Sequence, residues 1–281
     1  MIQKVRKVNT KTHALISNQL FVSFLLVEAA NILVSLTDIF VFRLPNTGLF
    51  TSWCASKQPN HFLKSLYLMV FLSNYSSRIQ PVICCMIRAV MVYYPRDNTE
   101  YTKTLLKFSL PISILIPFAL TSYMIPQLGF CTQLDHPFNF GAVGVTIDMN
   151  GPTNEVVHFS TSMICMTLNI GLTFFTMFVL RHILFARRTL RPITKLYKAE
   201  LSLTLTMISS FIPFVIDAIF AYVSLSRQGL LGYILAIRPF ALDSSTVTFP
   251  LVFYMTHPIF RKMKTTTISS ISGRMIHNSE N

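Results

Sequence analysis

Residues 62–95 read FLKSLYLMVFLSNYSSRIQPVICCMIRAVMVYYP. At about 1.5 Å per residue this stretch crosses a bilayer with length to spare for a tilt or a kink. Arg78 lies near its middle, the helix breaker Pro81 follows, and Arg88 stands toward its far end, seven residues before Pro95. An arginine deep in lipid is costly, so Arg78 calls for an acidic partner on another helix.

Five further apolar stretches of spanning length surround it. The six run near 17–42, 62–92, 105–127, 157–185, 201–225 and 231–255. The third holds Pro111, Pro117 and Pro126. Proline is tolerated in a membrane helix when neighbours satisfy the freed carbonyls, and it bends the rod. The chain of 281 residues is 52% hydrophobic and 12% charged, with mean hydropathy +0.51. Soluble domains carry about twice that share of charge. The expected fold class is therefore an all-α membrane protein. It has one transmembrane domain over 1–260 and a cytoplasmic tail over 261–281. The opening MIQKVRKVNTKTH is basic and polar, and the apolar run after it is too long for a signal h-region.

Charge placement orients the helices. Seventeen of the 24 Lys and Arg fall in residues 1–16, 93–107, 181–200 and the tail. Arg43, Lys57 and Arg227 fall on the opposite side, and Lys64, Arg78, Arg88 and Arg238 fall within spans. Both ends are thus expected inside the cell. The net charge of +13 then reads as a cytoplasmic fringe facing anionic lipid or protein, with no call for nucleic acid. The outside loop 128–156 lacks Lys and Arg and is turn-rich, with Gly141, Gly144, Gly151 and Pro152. It is either a solvated connector or a lid over a cavity.

Several stretches carry a family resemblance. They are RLPNTGLFTSWCAS at 43–56, RIQPVICCMIRAVMVYYP at 78–95, CTQLDHPFNFGA at 131–142, KAELSLTLTMIS at 198–209 and RPFALDSSTVTFPLVFYMTHPIF at 238–260. The chain resembles the nematode serpentine chemoreceptors of the Srg superfamily, and within it the Sru class. The resemblance implies a rhodopsin-like seven-helix bundle. It also implies a small environmental ligand, coupling to a heterotrimeric G protein, and residence in the plasma membrane of sensory neurons. The six visible spans would be helices two to seven of such a bundle, with the first helix absent. Arg88 and Pro95 then mark the inner end of the third helix, and Pro250 and Tyr254 the proline-to-tyrosine element of the last. These four residues are the expected G-protein switch. Ile87 precedes Arg88 where such receptors usually carry an acid. The other reading of Arg88 is a snorkelling anchor at the lipid boundary.

Glu28, Arg78, Asp217, Arg238 and Asp243 are the deeper charges within spans. Counted from the inner ends, Glu28, Arg78 and Asp243 agree in depth within about one helical turn. Asp217 and Arg238 share the outer third of their spans. The expected pairings are Arg78 with Glu28 or Asp243, and Arg238 with Asp217. Asp38, at an outer end, is expected to reach water. Such charges either bind ligand or fix helix packing. Cys54 and Cys131 lie in outside loops and are open to a disulfide or to remaining as thiols; the family habit of tying the second outside loop down implies the disulfide. The histidines show no metal spacing, and no hydrolytic triad or phosphate loop stands out, so neither enzyme nor cofactor is expected. The sequon at Asn74 falls inside a span. The remaining alternatives are a six-helix transporter or channel, and a truncated receptor unable to signal.

Overall fold

The structure, a computed structural model, describes residues 18–94, 98–134, 136–147, 153–186, 201–202, 204–209, 211–226 and 230–256. Long apolar runs fold as helices because lipid offers no partner for backbone N–H and C=O groups. The first, α1, spans Asn18–Asp38 and continues through a π-helical turn at Ile39–Arg43 and three more α residues, Leu44–Asn46. Gly48, at φ +80°, takes the turn beyond it, a conformation open to glycine. A short α2 follows at Thr51–Ala55. Then comes α3, His61–Tyr93, started by Asn60, whose side-chain oxygen accepts from the Leu63 N–H at 2.9 Å. α4 spans Asn98–Thr121 and ends in a 3-10 turn, Ser122–Met124; α5 spans Thr153–Ala186, α6 Phe211–Ser226 and α7 Leu231–Thr256.

The middle of the bundle is α3, which packs along α1, α4 and α5. Its buried residues lie on every side, from Leu63 and Tyr67 through Arg78 and Ile83 to Arg88. α1 shows the opposite design. Leu20, Phe24, Val27, Val34 and Val41 face the bundle, while Phe21, Leu25, Ile32, Leu36 and Phe40 form an exposed stripe at helical spacing. In a bilayer that stripe meets acyl chains.

Two apolar clusters result. The inner one joins Leu20, Phe24 and Val27 to Ile79, Val82, Ile83 and Ile87, with Met207 and Phe214. The outer one joins Val41, Leu63, Tyr67, Val70, Phe71, Tyr75 and Met124 to Val145 and Ile147. The last two belong to a hairpin, β1 Gly129–Gln133 and β2 Val143–Ile147, antiparallel with Cys131 opposite Val145. The sequence reading of 128–156 foresaw turns and no strands. The Val-Gly-Val-Thr-Ile run of β2 is β-branched and buries Val143, Val145 and Ile147. That is the strand signal the reading passed over.

Among the described residues, four helical segments are long and apolar enough to cross a membrane: Gln19–Asn46, Glu100–Met124, Asn154–His182 and Thr204–Val223. α3 and α7 fall short of that composition, though both have the length. Wrapped by protein, α3 can carry Asn74, Arg78, Gln80 and Arg88 without showing them to lipid, while Lys64 near its start donates to the Ile125 carbonyl at 2.8 Å. α7 carries Arg238 and the polar run Asp243–Thr246.

Candidate ligand layer and inner switch

At one level, in the half of the bundle nearer the hairpin, five helices bring chemistry together. Arg78 of α3 lies 2% exposed against His158 of α5. Its Nη2 is 2.8 Å from the imidazole Nε2, its Nη1 is 3.1 Å from Nδ1, and Nη1 also donates to the His158 carbonyl at 3.4 Å. An imidazole offers one acceptor nitrogen, so one of the two ring contacts is the hydrogen bond. The His158 ring sits edge-on to Phe71 and to Phe220 of α6, and tilted to Tyr75. Phe220 also lies under the guanidinium of Arg238, 5.7 Å from its centroid, with Phe42 on another side at 4.9 Å. Such cation–π contacts gain strength when desolvated.

The pairing of charges departs from the sequence reading. Arg78 meets His158. The expected Glu28 has its Oε1 buried with no hydrogen-bond partner. The other expected partner, Asp243, forms a two-pronged pair with Arg43, at 2.8 and 2.9 Å. Asp38 does not reach water: it is 1% exposed, accepts from Arg43 Nε at 2.8 Å, and pairs through its other oxygen with Arg238. Asp243, Arg43, Asp38 and Arg238 therefore alternate in one chain that ties the α1 rod to α7. The Asp217 side chain lies outside the described residues. Matching depth does not fix direction, because each residue turns about 100° around its helix. Arg43 follows the apolar run in the sequence, where a loop is expected, but the π turn at Ile39–Arg43 keeps it on the rod. His158 has no metal-ligand spacing to another histidine. A histidine inside a span was itself the signal.

Above this layer lies the hairpin. Cys54 and Cys131 form a disulfide, with Cα atoms 5.8 Å apart. Asn60 and Gly129 exchange backbone hydrogen bonds of 2.9 and 3.2 Å. The far tip reaches α7, where His136 Nδ1 and the Tyr233 hydroxyl are 3.1 Å apart. At the side, the Tyr123 hydroxyl donates to Asn154 Oδ1 at 2.9 Å, and Asn154 Nδ2 donates to the Tyr67 hydroxyl at 3.2 Å. This joins the ends of α4 and α5 to α3.

At the end of α3 away from the hairpin, Arg88 is 1% exposed and its Nη2 donates to Thr204 Oγ1. The Thr204 hydroxyl in turn points to Met177 Sδ at 3.3 Å. So Arg88 turns into the bundle; a snorkelling side chain would turn out of it. Pro250 lies within α7, and Tyr254 is exposed. Pro95, residues 1–17, 187–200 and the tail from 257 fall outside the described residues, whereas Lys103, Lys107 and Arg181 lie on described helices. The sequon residue Asn74 is buried and donates to the Val70 carbonyl at 2.8 Å.

A family described as serpentine type 7TM GPCR chemoreceptor Sru matches residues 1–263. The chain belongs to that class. A relative, serpentine receptor class U-26 of Caenorhabditis elegans, is 31% identical over 199 residues, covering 69% of this chain and 68% of its own length. The Sru class is a receptor class, not an enzyme family, and its members are multi-pass membrane proteins. In a Sru-class chain the buried charges described above lie within a receptor bundle.

Proposed function

We propose that this chain is a chemosensory receptor of the Srg superfamily. It binds a small environmental molecule in the Arg78–His158–Arg238 layer and signals through a heterotrimeric G protein in the plasma membrane of sensory neurons. All six long helical segments span, as helices two to seven of the family's bundle, with both ends inside. The layer favours a ligand with both an aromatic or aliphatic body and a polar group. Phe42, Phe71, Tyr75 and Phe220 supply apolar and π surface, while Arg78, His158 and Arg238 supply donors. Ligand contacts that differ between two helix arrangements would shift their populations.

The observation that carries this reading is the buried hydrogen bond from Arg88 to Thr204. It joins the inner end of α3 to the segment leading into α6. Ile87 precedes Arg88 in the sequence, and Thr204 offers the guanidinium a hydroxyl acceptor from across the bundle. A hydrogen bond to a charged group contributes about 1.5–3 kcal/mol. Removing it should favour separation of the two segments. The test co-expresses the receptor with a panel of G proteins and reads their activation without ligand. Thr204→Val should raise basal signalling about tenfold or more, and Arg88→Gln, which also removes the guanidinium that would meet the G protein once the segments part, should abolish it. Wild type and Thr204→Val both silent at normal surface amounts would overturn the reading in favour of a receptor that inserts but does not signal.

A further inference from the structure

The connection from the α1 rod to α3 is short. The rod ends at Asn46 and α3 begins at His61, so only residues 47–60 lie between two membrane-crossing lengths. Such a connection cannot rise far from the bilayer surface. Its composition is unusual for a solvated loop. Leu49 is 74% exposed, and Phe50 and Trp53 are each 38% exposed. Residues 44–60 contain no Asp or Glu. Phe140, from the hairpin tip, is 65% exposed and joins the same patch. The Gly48 position lies within 4 Å of Phe140 and of the Gly141 carbonyl, and the Thr51 hydroxyl donates to that carbonyl. Phe50 and Trp53 stack edge to face at 6.2 Å. The Lys57 ammonium lies 5.8 Å from the Trp53 ring centroid.

We propose that Leu49, Phe50, Trp53 and Phe140 form a foot that inserts into the outer-leaflet interface, with Lys57 reaching the lipid phosphates beside it. Amphipathic rings and a snorkelling lysine are what the headgroup region favours. Burial of the apolar faces at the headgroup–acyl boundary removes the patch from bulk solvent without a protein partner. The absence of acids from 44–60 leaves no carboxylate to be desolvated or held against the lipid phosphates. The foot would also set the height of the hairpin, since Cys54 within α2 is bonded to Cys131 of β1.

Trp53 is the only tryptophan of the chain, so its fluorescence reports this site alone. The test reconstitutes the full chain in phosphatidylcholine nanodiscs, with and without lipids brominated high on the acyl chain. Expected are blue-shifted emission, strong quenching by the brominated lipid, and several-fold weaker quenching by aqueous iodide than for free tryptophan amide. Changing the exposed Leu49→Asp and Phe140→Asp together should reverse all three while the Cys54–Cys131 bond still forms. Red-shifted emission open to iodide and blind to brominated lipid would overturn the proposal. Shielding from iodide without brominated-lipid quenching would overturn it too, and would point to a protein partner or a second copy of the chain. None of these readouts depends on signalling.

Discussion

Arg78 and Asp38 show what burial demands of a charged side chain. Arg78 faces an imidazole and a backbone carbonyl of α5. Glu28, at similar depth, keeps a buried carboxylate oxygen without a hydrogen-bond partner. Surface amounts of Arg78→Met with His158→Leu should therefore be better than the two single losses predict, with a coupling of about 0.5–3 kcal/mol. Arg78→Met with Glu28→Gln should be additive, and a strong rescue there would refute the observed pairing. Asp38 carries a heavier duty because it faces both Arg43 and Arg238. Asp38→Asn leaves Arg238 buried without its carboxylate and should cost about 3–5 kcal/mol. Asp243→Asn should cost under about 1 kcal/mol, because Asp243 is half exposed and Arg43 keeps Asp38. Thermal unfolding in detergent would rank the two variants, and equal losses would refute the chain of charges described here.

The hairpin is the element whose seating depends most on absent side chains. A Cβ at Gly129 would lie 2.2 Å from the Lys64 nitrogen, and one at Gly232 would lie 2.4 Å from the His136 carbonyl oxygen. Both clashes are with backbone, so neither can be relieved by turning a side chain. Gly232→Ala should lift the hairpin tip from α7 at a cost of about 1–3 kcal/mol. Hydrogen exchange of residues 134–142 should then speed up while α3 keeps its protection. Unchanged exchange would mean that the tip does not rest on α7 in the membrane. The disulfide and the Asn60–Gly129 bonds hold the other end, so the base of the hairpin should stay ordered.

For the whole molecule, the charge bias of 17 against 3 is the main argument for six spans with both ends inside. A reporter fused at Met1 and another after Asn281 should both be read in the cytoplasm. A reporter at Met1 read outside the cell would overturn the six-span arrangement. The two long helices that fall short of spanning composition, α3 and α7, are the ones that hold buried arginines. Protein neighbours and ion pairs relieve the polarity of these arginines. Membership of a receptor class counts against the transporter and channel alternatives that a six-helix reading leaves open.

The apolar runs alone were enough to mark a helical membrane protein, because a bilayer forces backbone groups to pair within each segment. The lysine and arginine count gave an expected orientation, and the motifs at 43–56, 78–95 and 238–260 pointed to the receptor class. Partner choice was not legible. Which acid meets which arginine depends on helix rotation and on one extra residue at Ile39–Arg43, which spacing along a sequence does not encode. The hairpin was hidden for a related reason. Two five-residue strands become stable only when Tyr67, Phe71 and Met124 provide the surface that buries β2, and those residues are far away in sequence.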